Sequence, residues 1–240
     1  MDDDQLELIG DTFDKSMLIA GCAGSGKSVI AMHKAQQIMD EGGDVILIAY
    51  TKSLNRYMSQ SKENALMNRF YYHWQWQNCG MPSADYVIVD EIQDFDEKEI
   101  KQFIAAAKKC FFFFGDTAQS IYNGFGKKTM SIDEISKLTG VSVSYLYNNY
   151  RLPKPVARIT QDYLGLDEEK DKVIKFSDAI YQSKENALPV FVKCYSKAEQ
   201  IEKMKEIIGK HGYRNVGILV PENEMVYEMM KDFTSKDFVC

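Results

Sequence analysis

A chain of 240 residues with 45% hydrophobic content can bury a sizeable core and has room for one large domain or two modest ones. A formal charge of -6 excludes a protein that holds nucleic acid mainly through a basic surface, so any such contact must be local. No apolar run is long enough to span a bilayer, and the start Met1-Asp2-Asp3-Asp4 is acidic where a signal peptide would be basic. A cytoplasmic chain with no membrane partner is expected. The 5 cysteines include no C-x-x-C pair, so free thiols are expected and not a disulfide framework or a thiolate zinc site.

Short apolar runs alternate with amphipathic stretches, the pattern of an α/β chain with a parallel sheet and crossover helices. Strands are expected at 17–20, 45–50, 86–89, 110–114 and 141–146, and helices at 27–40, 96–108, 131–138 and 153–164. A charged stretch, 167–175, interrupts the pattern, and a strand at 190–195, a helix at 198–210 and a strand at 216–220 follow it. The division read from this is a first domain at 1–165, a linker at 166–188 and a second domain at 189–240.

Gly21-Cys22-Ala23-Gly24-Ser25-Gly26-Lys27-Ser28 is a complete G-x-x-x-x-G-K-[ST] between an apolar strand and a helix, the setting of a phosphate-binding loop. Its glycines let backbone N–H groups turn inward on a phosphate, where the helix N-terminus adds partial positive charge. Lys27 would reach the β- and γ-phosphates and Ser28 would ligate Mg²⁺, so the implied ligands are ATP and Mg²⁺. A second site follows at the end of the apolar strand Tyr86-Val87-Ile88-Val89, where Asp90 can hold the metal and Glu91 can orient and deprotonate an attacking water.

Asp90-Glu91-x-Gln93-Asp94 resembles motif II of the UvrD/Rep-like superfamily 1 helicases, and further segments fall in the family's order. Gln5 stands where the family's Q motif reads the adenine edge. Ala49-Tyr50-Thr51 lies in a segment similar to motif Ia, Phe70-Tyr71-Tyr72-His73-Trp74 resembles the aromatic motif after it, Gly115-Asp116-Thr117-Ala118-Gln119-Ser120-Ile121-Tyr122 resembles motif III, and Asn149-Tyr150-Arg151 resembles motif IV. The resemblance spans residues 5 to about 160, with a weaker echo at 215–221. It implies a P-loop NTPase with a RecA-like parallel sheet flanked by helices, followed by a partial second RecA-like domain. It further implies that Gln119 senses the γ-phosphate, Tyr150 stacks on the adenine and Arg151 acts as an arginine finger; core packing for Tyr150 and a surface cation for Arg151 are the plainer alternatives.

The same resemblance implies single-stranded DNA as a partner, with RNA not excluded, contacted by Tyr50, Thr51, Tyr122 and Phe125. The chain departs from the family there: Ala49-Tyr50-Thr51 replaces Thr-Phe-Thr, and Gly124 stands where motif III places a stacking Trp. The even positions Phe70, Tyr72, Trp74 and Trp76 would share one strand face, which fits either a buried sheet face or nucleic-acid contact. The three histidines, His33, His73 and His211, are assigned no chemistry. Motifs V and VI have no counterpart before Cys240, so the expectation is either a truncated or minimal helicase ATPase core, or a non-motor nucleotide switch completed by a partner protein. A nucleotide kinase would not account for Gln93, Gln119 and Asn149-Tyr150-Arg151 together.

Overall fold

The computed structural model describes residues 3–10, 13–50, 65–120, 126–151, 153–156, 180–181, 188–213, 216–220 and 222–233. Two compact units divide the chain, Met1–Leu188 and Pro189–Cys240.

The first unit is built on strands β1 (Met17–Gly21), β2 (Val45–Ala49), β3 (Phe70–Tyr72), β4 (Ala84–Val89), β5 (Ala107–Gly115) and β6 (Val143–Leu146). They form one sheet in the order β3-β2-β4-β5-β1-β6, every pairing parallel. A strand inside a parallel sheet is covered on both faces, and β1 and β2 are buried at every position. The run Phe111-Phe112-Phe113-Phe114 shows how the pleat divides such a sequence. Phe111 and Phe113 join Leu18, Ile46 and Val87 in one core, while Phe112 and Phe114 join Ile19, Leu47 and Ile88 in the other.

Helices α1 (Asp3–Gly10), α2 (Lys27–Asp40), α3 (His73–Asn78), α4 (Glu97–Ala106) and α5 (Ile132–Thr139) lie among the described residues of this unit. Two of them start where a capping box dictates: Asp96 and Glu99 exchange side-chain and backbone hydrogen bonds at α4, as Ser131 and Glu134 do at α5. A short parallel pair, β7 (Asn148–Asn149) and β8 (Ile180–Tyr181), stands apart from the main sheet. The C-terminal ends of β1, β4 and β5 carry the three polar motifs, the edge where open parallel sheets bind ligands.

The aromatic segment differs from the continuous strand expected at 70–76. Only Phe70–Tyr72 is strand, and His73–Asn78 is helix. Residues two apart on a helix lie on opposite sides, so Trp76 is buried with its Nε1 donating to Pro82 O at 3.0 Å, whereas Trp74 is 65% exposed.

The described residues of the second unit hold helices α6 (Lys197–His211) and α7 (Asn223–Phe233) and no strand. The stretches 190–195 and 216–220, expected as strands, are not strands among the described residues. An extended segment becomes a strand only beside a neighbour that takes its backbone hydrogen bonds. Val190 at 81% and Leu219 at 97% exposure stay in solvent. Val216, Ile218 and Val220 line an apolar cavity of about 200 Å³ with Val226, Met229 and Phe233 of α7. Most of the expected linker at 166–188, apart from β8 and Leu188, and most of the helix expected at 153–164 lie outside the described residues.

Candidate nucleotide-binding site

Helix α2 begins at Lys27 because Gly26, at φ 92°, turns the chain into it from the left-handed region. A side chain at Gly26 would sit 2.6 Å from Gln5 Nε2. The glycine therefore leaves room for Gln5, which is buried and donates to Ser25 O at 2.8 Å. Lys27 is buried too, with Nζ donating to Gly21 O at 2.7 Å and Cys22 O at 3.3 Å, so the cation lies inside the curl of the loop. Helix α1 carries Gln5, and Lys34 ties it to α2: its buried ammonium donates to Leu8 O at 2.9 Å and stands over the rings of Phe13 and Phe112.

At the end of β4, Asp90 is fully buried. Burial first, and the adjoining Glu91 second, push its carboxyl up to about 6, against hydrogen bonding from Ser28 and the charge of Lys27. Its Oδ1 accepts from Glu91 N at 3.1 Å, while its buried Oδ2 has no hydrogen-bond partner. A carboxylate oxygen held out of water beside a serine hydroxyl suits a hard divalent cation, so Asp90 and Ser28 fit Mg²⁺. Glu91 follows at φ 56°, ψ 47°, a backbone conformation uncommon outside glycine and costly to hold. Gln93 Nε2 donates to its Oε2 at 2.8 Å.

Two further segments converge on the loop. After β5, Asp116 N donates to Gln93 Oε1 at 3.0 Å and Gln119 Nε2 donates to Asp116 Oδ2 at 2.8 Å. After β6, Asn149 Nδ2 donates to Ala23 O at 2.6 Å, Asn149 Oδ1 accepts from Arg151 N at 3.1 Å, and Tyr150 N donates to Gly24 O at 2.9 Å. A side chain at Gly24 would meet Arg151 Cβ at 2.7 Å and Asn149 Oδ1 at 2.8 Å, so this glycine is what lets the two segments lie together. Cys22, inside the loop, has its thiol pushed up by burial, which keeps it protonated.

These elements enclose a cavity of about 440 Å³ lined by Gln5, Ala23, Gly24, Gly26, Lys27, Ser28, Glu91, Gln119, Tyr150 and Arg151. That volume suits a nucleotide-sized ligand. Among the residues lining it, Lys27 is buried, while Tyr150 and Arg151 are exposed.

Of the nucleic-acid residues inferred from sequence, Tyr50 alone lies among the described residues. Tyr50 is half-buried, its ring stacked on His73 at 6.4 Å, edge-on to Phe95 at 5.0 Å and overlain by Lys127 Nζ at 5.1 Å. Thr51, Tyr122 and Phe125 lie outside the described residues. His73 packs as a core side chain whose burial lowers its proton affinity.

Sequence reasoning assigned no role to Gln93, Asp116, Asn149 or Lys34. Each makes a contact with a backbone group, and for all but Lys34 the one sequence signal was an amide or acid among the motif letters. Asp94 is a fifth: burial first, then Glu91, raise its carboxyl to about 7 against the charge of Lys127.

A family model described as the viral superfamily 1 RNA helicase core domain matches residues 17–213. No curated protein matches the chain. Among solved structures the chain is similar to a DNA replication initiation factor, at 15% identity over 87% of this chain and 59% of the other, with a TM-score of 0.37. It is also similar to AMPPCP-bound DnaA from Aquifex aeolicus, at 13% over 95% and 64% with a TM-score of 0.36, and to PRRSV helicase, at 11% over 74% and 38% with a TM-score of 0.43. The chain spans less than two thirds of the length of each of these structures. With the family model running from the first residue of β1 to just past the end of α6, the chain belongs to the viral superfamily 1 RNA helicase core domain family.

Proposed function

We propose that the chain binds ATP with Mg²⁺ and hydrolyses it, as the ATPase core of a UvrD/Rep-like helicase that acts on single-stranded nucleic acid. The observation that carries this reading is the one cavity onto which the phosphate loop, Glu91, Gln119, Tyr150 and Arg151 all open. The adenine would lie between the Gln5 amide, which reads its edge, and the Tyr150 ring, which covers its face. Loop amides and Lys27 would hold the phosphates. Magnesium on Ser28 and Asp90 would neutralise charge on the β- and γ-phosphate oxygens. Glu91 would orient and deprotonate the attacking water, Gln119 would hydrogen-bond the γ-phosphate, and Arg151 would offset charge on the transferring phosphoryl group. The single-strand part of the proposal rests on the motif resemblance, on the helicase family match and on the exposed Trp74 ring.

The test is steady-state hydrolysis of Mg–ATP with and without single-stranded DNA and RNA oligonucleotides. Expected are a rate abolished in Lys27→Ala, lowered about 10³-fold or more in Arg151→Ala, and raised by one or both strands. A wild-type chain that neither binds nor hydrolyses ATP would sink the proposal. Hydrolysis indifferent to both strands would remove its helicase part, and stimulation by RNA alone would replace the DNA reading with an RNA one.

A further inference from the structure

Gln93 is 1% exposed and takes part in three hydrogen bonds, one to its near neighbour Glu91 and two to the segment 116–120. Its Nε2 donates to Glu91 Oε2 at 2.8 Å, its Oε1 accepts from Asp116 N at 3.0 Å, and its backbone carbonyl accepts from Ser120 Oγ at 3.3 Å. At the end of β5, a Cβ on Gly115 would stand 2.7 Å from Gln93 Oε1, so the strand is kept bare where the amide lies against it. We propose that Gln93 is a positioning residue that holds the Glu91 carboxylate in its working orientation and links it to the segment carrying Gln119. This inference rests on the reading of Glu91 as the residue that activates water.

The chemistry of the position calls for a primary amide. One end must donate to a carboxylate and the other must accept from a backbone N–H; glutamate offers only acceptors, leucine offers neither. Glu91 needs the restraint, because its backbone sits in a conformation that is costly for a residue with a Cβ and its side chain turns into an open cavity. Gln119 Nε2 donates to Asp116 Oδ2 at 2.8 Å, so the residue facing the terminal phosphate and the residue facing the water are joined through Asp116 and Gln93.

The test is a double-mutant cycle on single-turnover hydrolysis, paired with binding of a labelled, non-hydrolysable ATP analogue. Gln93→Leu is expected to lower the rate of the chemical step by roughly 10- to 100-fold, as a misplaced group does, with analogue affinity within about twofold of wild type. In a Glu91→Gln background the same substitution is expected to change the residual rate by less than about twofold, because a residue acting through Glu91 has nothing left to act on. If Gln93→Leu fails to fold, Gln93→Glu keeps the shape, replaces the donor by a second acceptor and carries the same expectation. A Gln93 effect that multiplies in full onto Glu91→Gln, or one that falls on affinity instead of rate, overturns the inference. Wild-type hydrolysis by Glu91→Gln would instead overturn the reading beneath it.

Discussion

The two units of the chain use the same sequence alphabet with different results. In the first, the apolar runs 17–21, 45–49 and 84–89 lie in a sheet whose neighbours accept their backbone groups and whose helices cover both faces. In the second, the apolar runs 190–195 and 216–220 form no strand among the described residues, and Val190, Phe191, Tyr195 and Leu219 are exposed. Strand character is thus a property of the partner as much as of the run: propensity supplies an extended backbone, and burial between neighbours makes it a strand. A site needing atoms fixed to a fraction of an ångström can be built only on the first kind of element, and the phosphate loop, Glu91 and Gln119 all follow such strands.

The sharpest way to break this comparison is to remove one buried ring. Phe113 is fully buried and stacks on Phe111 at 4.4 Å, so Phe113→Ala is expected to cost about 3–5 kcal/mol by denaturant unfolding. A second experiment asks whether the ordered unit also answers to ligand. At a hundredfold excess of Mg–ATP over Kd the wild type should gain about 2.7 kcal/mol, seen as a thermal shift, and Lys27→Ala should lose that gain because it removes the cation at the terminal phosphates.

A smaller effect is expected from pH. The Asp94 carboxyl titrates near 7 when folded against 3.8 unfolded, so the unfolded chain releases this proton first and stability falls as pH rises between those values. Asp94→Asn abolishes that loss. Relative to wild type it should be more stable by roughly 1–2 kcal/mol at pH 8, with the difference vanishing below about pH 4 in melts at both pH values. Smallest of all is the second unit's response to Leu219→Ser, expected within about 0.5 kcal/mol because that side chain has no burial to lose. A cost near that of Phe113→Ala would show that Leu219 is covered after all.

What the sequence made legible follows the same division. The motif residues could be read because phosphate chemistry fixes both residue type and spacing, and Gln5, Lys27, Ser28, Glu91, Gln119, Tyr150 and Arg151 all line the cavity. Helix α2 was legible at its start and close to its end, since a Gly at its N-cap and the end of its apolar spacing bound it near the observed Lys27–Asp40. Asn149 and Gln93 were legible as motif letters but not as contacts, because their partners are Ala23, Arg151, Glu91 and Asp116, and three of those bonds use backbone atoms that no side-chain pattern encodes. The 70–76 segment misled because aromatic residues at alternate positions look like a strand face until a helix turn at His73 sends Trp74 outward and Trp76 inward. Helix α1 was missed altogether: eight residues are too few to show a full apolar period, and its place is set by tertiary contacts such as Lys34 to Leu8 O.

The central claim is that the phosphate loop and the Asn149–Arg151 segment form one nucleotide site, and amide hydrogen exchange with and without Mg–ATP tests it most directly. Slowed exchange is expected at 22–28 and at 149–151 together, lost at both in Lys27→Ala. Protection that leaves 149–151 untouched, or that survives unchanged in Lys27→Ala, would contradict the account.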